Sequence, residues 1–239
     1  MSDKDSLFTD PERTGPFAFD DQVAQVLPDM LQRSIPGYAA LLDLIGVLAA
    51  ERLSPQARVY DLGCSLGAVT TSVLRGTPGR EIHVFAVDSS PAMIERCRGR
   101  IPAHFGQVEL LCQSVQETLI ERAALVVLNF TLQFVPPAER DELIVRIARG
   151  LEPGGALVLS EKTAAQDAGE SIFSSLHDGF RRMHGYSDLE IARKRKALEQ
   201  VLVPDTQRAH VERLERVGLR PLEWFRGLGF VSWLAIKPN

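Results

Sequence analysis

Val59-Tyr-Asp-Leu-Gly-Cys-Ser-Leu-Gly67 reads as a short buried strand that ends in an acid, turns on glycine and opens a helix at Ala68. In an open α/β sheet, ligands sit outside the carboxyl ends of the strands, where the first strand gives way to the first helix. Glycine lets the backbone turn sharply and approach a ligand closely. The helix start presents free N–H groups that suit a carboxylate. The spacing Asp61-x-Gly63-x-x-x-Gly67 lacks the middle glycine of a Gly-x-Gly-x-Gly loop; Ser65 stands there. Alone, the stretch fits either a tight turn with no ligand or the turn of a site for a nucleoside without phosphates, above all S-adenosylmethionine (SAM).

The chain downstream favours the second reading. Ile82-His-Val-Phe-Ala-Val87 is a continuous apolar run, the pattern of a fully buried parallel strand. It ends at Asp88, about 20 residues past the glycine turn, where an acid bonds ribose hydroxyls. Asp88 also stands where it could cap the helix opening at Ser90-Pro91, although Ser89 and Ser90 can cap it equally well. Val108–Leu111 and Ala124–Leu128 are further strands, the second leading into Asn129-Phe-Thr-Leu-Gln133 at the carboxyl edge. Pro136–Leu151 is a helix, Pro153-Gly154-Gly155 a turn, and Ala156–Ser160 the fifth strand. A helix over Thr206–Val217 and strands near Pro221–Phe225 and Val231–Ile236 close the chain. The expected fold is α/β: a doubly wound, mostly parallel, seven-stranded sheet of the Rossmann-like type, forming one domain over residues 1–239.

Composition narrows the setting. The chain has 239 residues, 45% hydrophobic and 24% charged, with formal net charge −4. No apolar run reaches the roughly 18–20 residues of a membrane span, and no apolar signal core follows the polar N-terminus. Cys64, Cys97 and Cys112 lack Cys-x-x-Cys spacing, which suggests reduced thiols in a cytoplasm. The five histidines lack metal-ligand spacing, so no metal is expected. Mild acidity argues against direct nucleic-acid binding, which needs a basic face.

Two additions frame the sheet. Residues 1–20 read as a partly extended arm, followed by helices over Asp21–Gln32 and Tyr38–Arg52, with Pro28 implying a break or kink in the first. This cap precedes the first strand, and Tyr38 is expected to face the ligand or to be a core tyrosine. Residues 161–206 form a mostly helical insertion. Its second half opens with the capping box Ser187-x-x-Glu190 and runs as a helix to about Leu202. Ile191, Leu198 and Leu202 form its apolar stripe, and the basic run Arg193-Lys-Arg-Lys196 lies within it. Arg193, Lys194 and Lys196 read as a solvated face. Arg195, i+4 from Ile191 and i−3 from Leu198, reads as lying on the stripe. A guanidinium there needs an anion. Glu199 at i+4 and a substrate carboxylate held bidentately both qualify.

Several strings together resemble one family. They include Gln32-Arg-Ser-Ile-Pro-Gly-Tyr38, Val59–Ala68, Asp88-Ser-Ser-Pro-Ala-Met-Ile-Glu-Arg-Cys97, Val126–Phe134, Gly154–Lys162 and Gly185-Tyr-Ser-Asp-Leu-Glu-Ile191. The chain resembles the carboxy-S-adenosyl-L-methionine synthases over nearly its whole length, arm and insertion included. Leu-x-Pro-Gly-Gly before a strand is likewise familiar in class I methyltransferase-like folds. The resemblance implies conversion of SAM and prephenate to carboxy-SAM and phenylpyruvate. A partner tRNA carboxymethyltransferase then uses the product to build uridine 5-oxyacetic acid at the wobble position. It also implies a homodimer. By motif match, Tyr38, Gly63, Cys64, Ser65, Asp88, Ser89, Ser114, Val115 and Asn129 would hold the cofactor, and Arg195 the carboxylate of the product. Ser89 departs from the family's frequent Asn, and Ser114 from its Asp at the adenine position.

Two other readings share the glycine turn: a SAM-dependent methyltransferase acting on a small acid or RNA, and a silent SAM-binding scaffold. Arg195 and the lack of a basic face speak for the synthase. Tyr38 and Phe130 are expected to keep nucleophiles away from the sulfonium and to offer it their ring faces.

Overall fold

A computed structural model describes residues 3–10, 15–101, 107–165 and 168–239. Helices α1 (Asp21–Ser34) and α2 (Tyr38–Arg52) precede β1 (Arg58–Leu62), α3 (Ala68–Gly76), β2 (His83–Asp88) and α4 (Pro91–Arg98). Next come β3 (Gln107–Cys112), β4 (Ala123–Asn129), α5 (Pro137–Gly150) and β5 (Leu151–Lys162). The insertion contributes α6 (Ala168–Met183) and α7 (Asp188–Leu198). Helix α8 (Gln207–Arg216) and strands β6 (Arg220–Gly227) and β7 (Phe230–Ile236) end the chain.

The seven strands run in the order β3-β2-β1-β4-β5-β7-β6, all parallel through β5, with β7 antiparallel to both neighbours. Alternation along β4 explains its apolar run. Val126 and Leu128 enter the core on one face, and Leu125 and Val127 enter the core on the other, so both faces are covered. Pro153-Gly154-Gly155 lies inside β5, as a bulge where the register against β4 slips between Ala123 and Leu125. No single described helix is long and apolar enough to cross a membrane.

Two expectations are corrected. Pro28 does not break α1, which is continuous from Asp21 to Ser34. Buried Val23, Val26, Leu27 and Met30 hold its inner face in a cluster with Phe8 and Phe17, and this packing outweighs the lost backbone bond. Over residues 3–10 the arm is tied to the body of the fold. Asp5 is 2% exposed: its N–H donates to Asp29 Oδ2 at 2.7 Å, and Tyr186 donates its hydroxyl to the Asp5 carboxylate. Lys194 Nζ lies 3.7 Å from the same carboxylate. Arg193 donates to the Phe8 and Thr9 carbonyls, and Phe17 N–H to the Ala197 carbonyl at 2.9 Å. The first residues thus staple α7 to α1.

The second correction concerns the face of α7, which ends at Leu198. Its buried positions are Glu190, Ile191 and Lys194, so the buried cation is Lys194 at 6% exposure. The Arg195 side chain is 57% exposed and pairs with Asp178 of α6 at 2.5 Å, not with Glu199. The arm packs over the Lys194 side and sets the rotation of the helix.

Candidate active site

The carboxyl ends of β1, β2 and β4 open into a cavity of about 820 Å³. Each element delivers its residues for a local reason. Gly63 and Cys64 both donate N–H to the Val87 carbonyl at 2.8 Å, which ties the glycine turn to the end of β2. Gly63 has φ +80°, and a Cβ there would lie 2.3 Å from Thr131 Oγ1. Thr131 in turn donates to the Leu62 carbonyl at 2.9 Å. Ser65, which replaces the usual glycine, still adopts φ 51°, a left-handed conformation that costs a side chain about 1–2 kcal/mol.

Asp61, the acid at the head of the motif, is scaffolding. Its Oδ2 accepts from the Thr70 N–H at 3.0 Å and the Thr70 hydroxyl at 2.6 Å, fastening β1 to α3. Burial pushes its pKa up to about 6 against those two bonds. Asp88 has two duties. Its Oδ2 accepts from Ser65 N–H and its Oδ1 from Ser90 N–H, both at 2.9 Å, while Ser90 caps α4 by accepting from Met93. Burial raises its pKa and the two N–H bonds lower it. Each carboxylate oxygen keeps a lone pair for a further donor, so the turn role and a ribose role are compatible.

The structure brings every position named from the sequence to the one cavity. Gly63, Cys64 and Ser65 form its floor, with Asp88 and Ser89 beside them. Ser114 and Val115 follow β3, Asn129 ends β4, Tyr38 enters from α2 and Arg195 from α7. Ser114 differs in detail from expectation: its hydroxyl donates to Gln116 Oε1 at 2.8 Å and accepts the Gln116 N–H at 3.1 Å. Gln116 also lines the cavity, and its amide is engaged at both ends, with Oε1 on Ser114 and Nε2 donating to Glu139 Oε2 at 2.9 Å. A hydrogen bond to Cys97, then burial, push the Cys64 thiol far up, so it is no nucleophile.

Aromatic rings line the cavity. Tyr38 is 8% exposed and its ring lies 6.3 Å from that of Phe130, which holds φ 61°. Phe19 of the N-terminal segment meets Phe134 edge to face at 5.1 Å. One polar atom is conspicuous. Asn129 Oδ1 is buried without a hydrogen-bond partner, a vacancy for a donor such as the ammonium of an amino acid.

Beyond Arg195 lies a second chamber of about 290 Å³, lined by Lys162, His177, Arg181, Arg195, Phe173 and Phe230 among others. Lys162, His177, Arg181, Arg195 and Phe230 also line the larger cavity, so the two chambers share a wall. Arg181 and Arg195 grip opposite oxygens of Asp178 at 2.7 and 2.5 Å. Burial opposes ionisation of Asp178, but the Arg195 hydrogen bond and the Arg181 charge hold its pKa below the usual carboxylate range. Sequence reasoning missed Lys162, His177 and Arg181 as site residues. Lys162 carried a signal, since it ends β5 at the sheet's ligand edge. His177 and Arg181, spaced i,i+4, carried none without a fold around them.

A family model described as "Methyltransferase domain" matches residues 59–155. A carboxy-S-adenosyl-L-methionine synthase of Salmonella paratyphi C (strain RKS4594) is 49% identical over 99% of this chain and 98% of its own length. The chain belongs to the carboxy-S-adenosyl-L-methionine synthase family. The synthase of Salmonella choleraesuis (strain SC-B67) matches to the same degree. The fold this family member shares is wider. Human N-acetylserotonin methyltransferase in complex with SAM superposes with TM-score 0.61 at 18% identity, covering 92% of this chain and 56% of that one. Magnesium protoporphyrin IX methyltransferase from Synechocystis PCC 6803 with bound SAM gives 0.58 at 15%, covering 84% and 80%.

Proposed function

We propose that this synthase converts SAM and prephenate to carboxy-SAM and phenylpyruvate, and that the product serves a tRNA carboxymethyltransferase modifying wobble uridine. The observation that carries the reading is Arg195, braced by Asp178 in the wall between the nucleoside cavity and a cationic chamber.

The chemistry follows from charge. A sulfonium cation acidifies its methyl group by stabilising the ylide carbanion. Prephenate loses its ring carboxylate as carbon dioxide and its hydroxyl as hydroxide, and its ring becomes aromatic. Hydroxide, or a group it deprotonates, removes the methyl proton to give water. The carbanion then bonds to the carbon dioxide, forming the carboxylate of carboxy-SAM. The sum is SAM plus prephenate to carboxy-SAM, phenylpyruvate and water. No strong enzymatic base is required. The protein's share is proximity and electrostatics in a dry site.

In this reading Asp88 and Ser89 hold the ribose, Ser114 and Val115 the adenine edge, and Gly63, Cys64 and Ser65 the backbone cradle. Asn129 Oδ1 accepts from the methionine ammonium. Tyr38 and Phe130 flank the sulfonium, and Arg195 binds the transferred carboxylate bidentately. A homodimer is supported by Ile172, Leu176 and Met183, an exposed apolar stripe of 55, 47 and 87% exposure on one side of α6. The free thiols Cys64, Cys97 and Cys112 support a cytoplasmic setting.

Mass spectrometry of the copurified ligand tests the reading: a SAM-like ion heavier by one carbon dioxide is expected. Plain SAM, with no phenylpyruvate formed from prephenate, refutes it in favour of a methyltransferase or a scaffold. Arg195→Ala sharpens the test. It should weaken carboxy-SAM by roughly 10- to 100-fold, the worth of a charge-assisted pair, and leave S-adenosylhomocysteine nearly unchanged.

A further inference from the structure

The second chamber carries more positive charge than one transferred carboxylate requires. Lys162, Arg181 and Arg195 all line it, and Asp178 is the carboxylate set among them. Asp178 is already gripped by both arginines. Lys162 forms no ion pair among the described residues; its charged surroundings are Arg181, Arg195 and Asp178. Arg181 is 7% exposed and its Nε is buried without a hydrogen-bond partner. A buried guanidinium N–H left unpaired is costly, and Arg181 lines a chamber wide enough for a small ligand.

His177 explains how Arg181 keeps its aim. Its Nε2 lies 2.7 Å from the Ser34 carbonyl, which can only accept, so Nε2 carries the proton. Its Nδ1 therefore accepts, from Arg181 Nη2 at 3.3 Å. Burial, then the charge of Arg181, push its pKa down to about 3. His177 is thus a neutral spacer of fixed tautomer, wedged against Phe230 at 4.9 Å between ring centres. It positions Arg181 and adds no charge.

We infer that this chamber receives the second substrate as a dianion, with Arg195 on the carboxylate that is transferred and Lys162 with Arg181 on the carboxylate that stays with the oxo-acid side chain. The three cations less one carboxylate leave two charges to be matched. Phe173 and Phe230 supply the apolar walls that a six-membered carbon ring needs. The inference rests on the proposed reaction and adds the division of labour between the cations. It makes Lys162 and Arg181 determinants of specificity for a doubly charged substrate over a singly charged one.

Arg181 braces Asp178, so its removal threatens the fold. The charge is better tested at Lys162. Calorimetric titrations would use protein saturated with S-adenosylhomocysteine, with prephenate and phenylpyruvate as the two probes. Phenylpyruvate keeps the side-chain carboxylate and lacks the transferred one. Lys162→Met should weaken both probes by about 10-fold or more, the loss of one charge-assisted contact, with Lys162→Arg within about 3-fold of the wild type. Arg195→Ala should weaken prephenate far more than phenylpyruvate. S-adenosylhomocysteine affinity should stay within about 2-fold throughout, because neither side chain serves the nucleoside. Unchanged probe affinity in Lys162→Met, or no binding of either probe to wild type, overturns the assignment. Prephenate bound in a Lys162-dependent way without turnover upholds the subsite and refutes the synthase reaction. Normal turnover with an unchanged KM for prephenate in Lys162→Met does the reverse.

Discussion

Glu161→Gln probes the bridge between the sheet and the cavity wall. Glu161 is completely buried at the end of β5, and its two oxygens accept from Leu132 N–H at 2.8 Å and Gln133 N–H at 3.0 Å. Gln133 lines the cavity, and its Oε1 accepts the N–H of Lys162 at 3.3 Å. Burial pushes the Glu161 pKa up to about 8; the two N–H bonds and Arg140 oppose that rise without cancelling it. Glutamine keeps one acceptor and turns an amide N–H₂ towards a backbone N–H. The unmade bond costs about 1–3 kcal/mol. Wild type carries a second, pH-dependent term. Between the unfolded carboxyl value near 4.3 and the folded value of about 8, the native state binds the proton more tightly. Stability in that window must fall as pH rises, by up to about 1.4 kcal/mol per pH unit. The variant lacks this slope. Urea unfolding of both proteins at pH 5, 6, 7 and 8 should show wild type the more stable at pH 5 and the gap closing towards pH 8. Parallel profiles would mean that Glu161 is ionised throughout, and the reasoning would fail.

Two further substitutions test other links. Gly63→Ala should cost about 1–2 kcal/mol from its left-handed backbone alone, plus the displacement of Thr131 from 2.3 Å, and should weaken S-adenosylhomocysteine; melting and calorimetry read both, and an unperturbed variant refutes the packing argument. Asp5→Ala leaves Lys194, at 6% exposure, without its counter-ion, so unfolding should cost about 3–5 kcal/mol less, and a loss under 1 kcal/mol would show that the buried pair contributes little.

The parts of the molecule that speak in local patterns were legible in the sequence. Val59–Gly67 and Asp88 could be placed because strand, turn and helix start are neighbours in the chain, and the ligand edge follows from the fold. The phase of α7 could not. Three apolar residues cannot fix the rotation of a short helix to better than one position, about 100°, and a segment more than 180 residues away decided it. Lys162, His177 and Arg181 were hidden for a related reason. They meet only when β5 and α6 pack, and the histidine's tautomer depends on a carbonyl at the end of α1. Ser114 lines the cavity, but its hydroxyl is engaged in a local turn with Gln116 that the sequence did not reveal.

The Asp5 staple has a consequence for anyone wishing to transplant this reactivity. Methyltransferases of known structure share the fold, and α6 with α7 looks like a portable cassette. It is not self-contained. Lys194, one residue before Arg195, is anchored by Asp5 and Ser34, and Tyr186 by Asp5. A graft of residues 161–206 alone would leave the guanidinium's azimuth undetermined. Residues 3–10, α1 and the insertion form one inheritable module written at two distant places in the chain, and recombination that separates them would free Arg195 from the packing that orients its helix.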